Sequence, residues 1–211
     1  MKVSTRWTLA TLAVVAVVVG AFTEQLAGEP QPGAPSTPSP RTHRDADTPE
    51  ALAGLRRSAE LPPCPLGDGA AGPPPLQQVV VECAANGSPV QVGKALAGRT
   101  VVLNFWAYWC GPCADELPAL ADYQRRVGDG VTVVTVHQDE NEAAALQRVA
   151  ELGVRLPVLQ DGRRSIAGAL ALPNVMPATV VLRPDGSVAK VLPEAFTSAE
   201  AIAAAVGSGP L

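Results

Sequence analysis

A strand that ends directly in a Cys-x-x-Cys motif constrains this chain more than any other feature. The apolar run Val101–Ala107 leads through Tyr108 to Trp109, Cys110, Gly111, Pro112 and Cys113. An apolar run of this length is typical of a buried strand, and Pro is favoured in the first turn of a following helix. The unpaired N–H groups and the dipole at that turn favour a thiolate over a thiol. We therefore expect a redox pair in which Cys110 attacks and Cys113 resolves.

A Cys-x-x-Cys motif on its own has two other interpretations, half of a zinc site or a plain structural bridge. A zinc site of that kind needs a second pair of ligands at matching spacing, and the sequence contains none. The redox interpretation is therefore preferred, and neither a metal nor another cofactor is expected at the pair.

The first 23 residues have the pattern of an export signal. Lys2 and Arg6 precede the apolar stretch Trp7–Phe22, which carries no charge and ends before Glu24. Its 16 residues are fewer than the roughly 20 that span a bilayer straight, yet no clear small-residue cleavage site follows. We interpret residues 1–23 as a signal peptide or signal anchor and favour the uncleaved anchor. The remainder of the chain would then be extracytoplasmic, or secreted if the signal is cleaved.

Residues 24–60 are predicted to be a Pro-rich flexible linker. Pro, Ala, Thr, Ser and charged residues dominate this segment, and it has no apolar periodicity. A short Ala-Leu stretch, residues 49–57, is compatible with one or two helical turns. Residues 61–211 remain for one domain, with its core at residues 89–206. The net charge of -4 and the scarcity of basic doublets argue against nucleic acid as a partner.

The pattern of residues 61–211 predicts a mixed α/β domain. Two β-rich runs separated by Asn86-Gly87 predict a hairpin ahead of the motif. A strand-helix-strand unit then implies parallel strands joined by a right-handed crossover. The predicted elements from residue 100 onwards are strand 101–106, helix 111–127, strand 131–136, helix 142–152, a short helical stretch 163–172, strands 178–183 and 187–192, and a last helix that opens with the capping box Thr197-x-x-Glu200.

This order of elements resembles the thioredoxin fold, and the residues around the cysteines are similar to those of the TlpA/ResA branch of membrane-tethered thiol-disulfide oxidoreductases. Residues 89–206 carry the resemblance, above all the segment 104–113 followed by Glu116-Leu117-Pro118. Asn104 stands where cytoplasmic thioredoxins have a buried Asp. The expected fold is α/β and thioredoxin-like, with an added N-terminal β-hairpin, preceded by the signal-anchor segment and the Pro-rich tether.

Further site residues are implied by the resemblance. Met176-Pro177 is similar to the cis-proline loop of the family, which would lie opposite the thiols and offer the Met176 backbone to a substrate strand. Trp109 would provide an apolar contact surface beside Cys110. Glu116 lies one helical turn after Cys113, so its carboxylate would take the proton of the resolving thiol. A solvated helix charge is the alternative for Glu116.

Cys64 and Cys83 are the two remaining cysteines. An even number of cysteines in an exported chain favours a bridge. We expect a structural disulfide that pins the Pro-rich entry segment to the first hairpin. Two free buried thiols, or a second redox relay, are the alternatives.

The function implied by the resemblance is that of a reductase acting on cysteines of exported proteins, apocytochrome c among them. A membrane thiol carrier would supply the electrons, and we expect a monomer. An oxidase that donates its disulfide is one alternative, because Cys-Gly-Pro-Cys leaves the redox direction open. A copper-binding thioredoxin-fold chaperone is another, since two cysteines and His137 could supply its ligands.

Overall fold

The computed structural model describes residues 47–67 and 72–207. Within these residues one seven-stranded sheet organises the chain. Its strands are β1 (Val80–Cys83), β2 (Pro89–Gln91), β3 (Val101–Trp106), β4 (Thr132–His137), β5 (Val158–Gln160), β6 (Ala178–Leu182) and β7 (Val188–Leu192). The helices are α1 (Pro49–Ala59), α2 (Val92–Ala95), α3 (Gly111–Val127), α4 (Glu142–Glu151), α5 (Ser165–Ala169) and α6 (Ala199–Val206).

The sheet has the order β2-β1-β5-β4-β3-β6-β7 and is mixed. Strands β3, β4 and β5 are parallel, as the predicted crossover requires. Strands β6 and β7 form an antiparallel hairpin on one side, and the added β1-β2 hairpin pairs antiparallel with β5 on the other. The predicted thioredoxin-like α/β fold with an N-terminal hairpin is confirmed.

Strand β3 is buried along its whole length because helices cover both faces of the sheet. Val102 and Trp106 face one apolar cluster, whereas Val101, Leu103 and Phe105 face the other. The first cluster includes residues of α1, α3, α4 and α6. The second includes residues of α2 and α5. The carboxyl end of this central strand leads directly to the Cys-x-x-Cys motif.

The domain reaches further toward the N-terminus than the predicted boundary at residue 61. Helix α1 spans 11 residues inside the predicted linker 24–60, with Thr48 as its N-cap. Leu52 and Ala59 of α1 are buried in the first apolar cluster. Arg56 of α1 also donates a hydrogen bond of 2.9 Å to Glu142 of α4, and both side chains are largely buried. The short Ala-Leu stretch thus forms a packed helix instead of linker.

Several element boundaries differ from the predicted ones. Strand β5 and helix α2 were not predicted, since neither is longer than four residues and so neither shows a period. The helical stretch predicted at 163–172 is helical only over α5. Helix α6 is capped by Ser198, whose side chain accepts the Ala201 N–H, so the capping box predicted at Thr197 is shifted by one residue.

The predicted signal anchor at 1–23 and the linker up to residue 46 lie outside the described residues. Among the helices described, none combines the length and apolar character needed to span a bilayer.

Candidate active site

The two cysteines of the motif form a disulfide at the start of α3. Cys110 is the N-cap of the helix, and its Sγ accepts the Cys113 N–H over 3.3 Å. Pro112 fits the first turn because the N–H that it lacks has no partner within a helix. Cys110 retains 6% of its surface exposed, whereas Cys113 has none. An incoming sulfur can therefore reach Cys110 but not Cys113.

Glu116 lies one turn after Cys113 on the same face of α3 and is fully buried. Its Oε2 accepts a hydrogen bond of 2.8 Å from Asn104 Nδ2, and its Oε1 accepts the Phe196 N–H over 3.4 Å. Asn104 Nδ2 donates a second hydrogen bond, of 3.1 Å, to Thr179 Oγ1. The carboxyl group thus belongs to the buried interior of the site, and the solvated helix charge considered above is not what the structure shows.

Burial raises the pKa of Glu116 from its ordinary value to about 7. Taking a carboxylate out of water disfavours its charged form, while hydrogen bonds from Asn104, Phe196 and Thr179 act in the opposite direction. A carboxyl group with a pKa near neutrality can accept and release a proton under ordinary conditions.

His137 ends strand β4 and is fully buried. Its ring packs at 4.8 Å from that of Trp106, and Nδ1 donates to Gln160 Oε1 over 2.8 Å. Its other nitrogen, Nε2, accepts the Tyr108 N–H over 3.4 Å. Burial lowers the pKa of His137 to about 4, so the imidazole is neutral near pH 7.

The turn before Cys110 is held by contacts from the neighbouring strand and helix. Arg148 Nε of α4 donates to Tyr108 O over 3.3 Å. Trp109 Nε1 donates to Asp139 Oδ2 over 3.0 Å, although 60% of the Trp109 surface is exposed. The indole ring is thereby fixed in orientation while its apolar surface remains open beside the disulfide.

The Met176–Pro177 peptide bond is cis. Strand β6 starts immediately after it, and Ala178 pairs with Phe105 of β3. This register places Pro177 at the end of β3 that leads to Cys110. Pro177 is buried, Met176 is partly exposed and Val175 is 42% exposed.

Cys64 and Cys83 form the second disulfide, with a sequence separation of 19. Cys83 is the last residue of β1, and Cys64 lies in the irregular segment that enters the domain. The Cys64 N–H donates to Cys83 Sγ over 3.2 Å. The bridge joins the entry segment to the first hairpin.

Sequence reasoning missed the side chains that support the redox pair. Asn104 was noted only as a replacement, and Thr179 and Asp139 were not considered. One signal was present: Asn104 interrupts an otherwise apolar strand, and a buried amide requires hydrogen-bond partners. The partners themselves come from strands and helices that are distant in sequence.

No copper site is assembled by the residues that the structure describes. No group of three His, Cys, Asp or Glu side chains among residues 47–67 and 72–207 is placed to hold a metal ion. His137 uses both ring nitrogens in hydrogen bonds to Tyr108 and Gln160.

Curated relatives of the chain include thiol-disulfide oxidoreductases named ResA. The protein of Bacillus subtilis (strain 168) is 34% identical over 113 residues, covering 53% of this chain and 62% of the relative. That of Oceanobacillus iheyensis is 32% identical over 133 residues, covering 63% of this chain and 67% of the relative. The chain thus spans a little under two thirds of the first of these relatives.

Among solved structures, a secreted Mycobacterium tuberculosis disulfide oxidoreductase homologous to E. coli DsbE is similar to the chain. The TM-score is 0.55 at 25% identity, over 63% of this chain and 96% of that one. The Redoxin family profile matches residues 70–206, which include both disulfides except for Cys64. The expected resemblance is confirmed, and the chain belongs to the Redoxin family.

Proposed function

We propose that the protein is an extracytoplasmic thiol-disulfide oxidoreductase, tethered to the membrane through its N-terminus, that reduces cysteines of exported proteins. One observation carries the proposal: a disulfide at a helix N-terminus has one accessible sulfur, one buried sulfur and a buried carboxyl group one turn away. The similarity to proteins named thiol-disulfide oxidoreductase supports the same chemistry.

In the reduced enzyme Cys110 is the attacking group. Its thiolate attacks one sulfur of a substrate disulfide, the other substrate sulfur leaves as a thiolate that takes a proton, and a mixed disulfide forms. The Cys113 N–H and the helix dipole stabilise the negative charge on Cys110.

Resolution of the mixed disulfide requires Cys113 to lose a proton in a buried setting. Glu116 takes this proton, because a carboxyl group with a pKa of about 7 can act as a proton acceptor at neutral pH. The Cys113 thiolate then attacks Cys110 Sγ, the bond to the substrate breaks, and the released substrate sulfur is protonated. Two electrons have passed to the substrate, and a dithiol donor must reduce the Cys110–Cys113 disulfide before the next cycle.

The substrate segment docks between Trp109 and the cis-proline loop. Trp109, next to Cys110 in the chain, and Val175, two residues before Pro177, both expose apolar surface. The backbone of Met176, just before Pro177, is available to pair with an extended substrate chain. Such backbone pairing is sequence-tolerant, as a reductase with several exported substrates requires.

Location and partners follow from the N-terminal sequence together with the relatives. An apolar segment behind two basic residues supports a single anchor with the domain outside the membrane. The solved M. tuberculosis relative is described as secreted. A membrane thiol carrier is the proposed electron donor, and maturation of apocytochrome c is the proposed process.

The decisive experiment combines trapping with a redox titration. Cys113→Ser should accumulate a mixed disulfide with substrate, whereas Cys110→Ser should accumulate none. Cys64→Ala/Cys83→Ala is the matched control and should turn over normally. Equal trapping by Cys110→Ser and Cys113→Ser would contradict the assignment of roles.

The titration determines the direction of exchange. Equilibration with a thiol buffer should give a potential at or below about -250 mV, in the range of reducing pairs. A value near about -120 mV would instead indicate a disulfide donor.

A further inference from the structure

Asn104 is the one polar side chain of strand β3, and it lies between the redox helix and the cis-proline strand. In the antiparallel β3–β6 pair it is directly opposite Thr179, two residues after Pro177. Its two Nδ2 hydrogens are shared between Glu116 Oε2 at 2.8 Å and Thr179 Oγ1 at 3.1 Å. One amide therefore connects the carboxyl group on α3 with the strand that follows the substrate-docking loop.

The oxygen atom of the same amide is not hydrogen-bonded within the part of the chain that the structure describes. Asn104 is fully buried, and its Oδ1 has no hydrogen-bond partner among the described residues. A buried acceptor left unpaired is costly, so an amide that keeps one needs a compensating role. Rotation of the amide about its terminal bond exchanges the positions of Oδ1 and Nδ2.

The two orientations of the Asn104 amide match the two charge states of Glu116. A carboxylate accepts hydrogen bonds only, so it requires the Nδ2 donor seen in the structure. A protonated carboxyl group becomes a donor and requires an acceptor at the same point, which Oδ1 would supply after rotation. The Thr179 hydroxyl can serve in both arrangements because it both donates and accepts.

We propose that Asn104 is a positioning residue that holds the Glu116 carboxyl group in both charge states, with Nδ2 toward the carboxylate and Oδ1 toward the acid. The inference rests on the proposed role of Glu116 in resolution. One polar atom of the amide is unpaired in either orientation, so the amide can follow the proton. The hydrogen bond to the charged carboxylate is the stronger of the two, so Asn104 stabilises the carboxylate more than the acid. A carboxylate at position 104 would instead place a second negative charge beside Glu116.

No charged side chain of the described residues is among the groups that shift the pKa of Glu116. The groups that face it are Asn104 from β3, Thr179 from β6 and the Phe196 N–H from the segment before α6. The two cysteines precede it on its own helix. Apart from burial, the pKa of Glu116 therefore reports the contribution of these hydrogen bonds.

The test follows the carboxyl carbon of Glu116 by ¹³C NMR as a function of pH, in the oxidised full-length protein. The wild type should titrate near pH 7. Asn104→Leu keeps the size of the side chain and removes both polar ends, so the midpoint should rise by about one pH unit. Asn104→Asp should raise it further, because the second carboxyl group adds a like charge.

Thr179 provides the matched pair of control variants. Thr179→Val removes the hydroxyl group at constant shape and should raise the midpoint by less than Asn104→Leu does. Thr179→Ser keeps the hydroxyl group and should leave it in place. If Asn104→Leu does not fold, Asn104→Ala gives the same comparison. An unchanged midpoint in the Leu or Ala variant, with the fold intact, would overturn the inference.

Resolution kinetics separate this inference from the proposed function. At pH 7 the Asn104→Leu variant should resolve the mixed disulfide about fivefold more slowly, because fewer Glu116 groups are ionised. Glu116→Gln should remove the pH dependence altogether. If Glu116→Gln leaves the profile unchanged, the proton role of Glu116 fails, and the NMR midpoints still decide whether Asn104 holds the carboxyl group.

Discussion

The two disulfides of this chain differ in their surroundings and hardly at all in their exposure. Cys110 and Cys64 expose 6% and 7% of their surfaces, and Cys113 and Cys83 expose 0% and 1%. Accessibility alone therefore does not explain why one pair should exchange and the other should not. The difference must lie in how each site stabilises a thiolate.

A single hydrogen bond is not the difference either. Cys110 Sγ accepts the Cys113 N–H at 3.3 Å, and Cys83 Sγ accepts the Cys64 N–H at 3.2 Å. However, Cys110 caps the 17-residue helix α3, whose dipole adds to that hydrogen bond. Cys64 Sγ lies 3.4 Å from the Val158 carbonyl oxygen, a negative partner that opposes a thiolate.

Proton transfer separates the two pairs further. Glu116 follows Cys113 by one turn and has a pKa of about 7. Both Cys64 and Cys83 lie in the second apolar cluster, together with Leu76 and Leu159. We therefore expect the disulfide at the helix terminus, beside the buried carboxyl group, to exchange, and the disulfide in the apolar setting to be a structural link.

Removal of either disulfide tests this contrast, and the largest expected effect is on the free energy of unfolding. Cys64→Ala/Cys83→Ala opens a loop with a separation of 19 residues and should cost about 3 kcal/mol in the chain-entropy model. For a domain of this size the melting temperature should fall by about 6–12 °C. Differential scanning calorimetry measures this change.

Cys110→Ala/Cys113→Ala is the control for that measurement. Its loop has a separation of only three residues, so the same relation gives about 2 kcal/mol, while disulfide exchange should vanish. The Cys64/Cys83 variant should retain full exchange at low temperature. Loss of exchange in that variant would show that the Cys64–Cys83 pair is a relay and that the two disulfides do not differ in role.

A somewhat smaller effect should be seen in the rate at which each bond is reduced. A leaving thiol whose pKa is lowered departs faster, by about threefold for each pH unit. The helix terminus should therefore make Cys110–Cys113 at least about threefold faster to reduce than Cys64–Cys83. Alkylation with a mass label at timed intervals, followed by peptide mapping, reports the two bonds separately.

The rate comparison has a clear negative outcome. Equal labelling of Cys64 and Cys110 at early times would show that the helix terminus contributes little. If Cys64–Cys83 is the slower bond, the measurement should be repeated in urea below the unfolding midpoint. If only the Cys64–Cys83 rate rises, its slowness in native protein comes from burial.

The sequence is sufficient to predict that the two disulfides differ in role, but not the contacts that cause the difference. Cys-x-x-Cys after an apolar strand located the helix terminus, and the spacing of Glu116 located the carboxyl group. Its burial was not predictable from spacing, because it depends on Asn104, Thr179 and Phe196, which come from three other parts of the chain. Helix α1 is longer than the one or two turns expected for the Ala-Leu stretch, and its place in the domain was not predicted because it depends on contacts with α4.

The smallest expected effect concerns the pH dependence of stability, and it is tested around the Cys110–Cys113 pair. Two buried groups lie there with pKa values displaced in opposite directions, Glu116 to about 7 and His137 to about 4. For Glu116 the pKa in the folded state is above the unfolded value, so its contribution to stability is present below pH 4.5 and is lost as the pH rises to 7. For His137 the pKa in the folded state is below the unfolded value, so its contribution is present above pH 6.5 and is lost as the pH falls toward 4.

Between pH 5.5 and 7.5 these two contributions largely offset each other, and the wild-type stability should be nearly constant. Glu116→Gln removes one of them and leaves His137, so stability should rise by about 1 kcal/mol over the same interval. Urea unfolding at several pH values measures this slope, and the Cys64→Ala/Cys83→Ala variant serves as the control. That variant should be less stable at every pH yet show the flat wild-type profile, because it changes neither titrating group. If the wild type and Glu116→Gln show the same slope, burial does not raise the pKa of the carboxyl group, and the main chemical difference between the two disulfides would then reduce to the helix terminus alone.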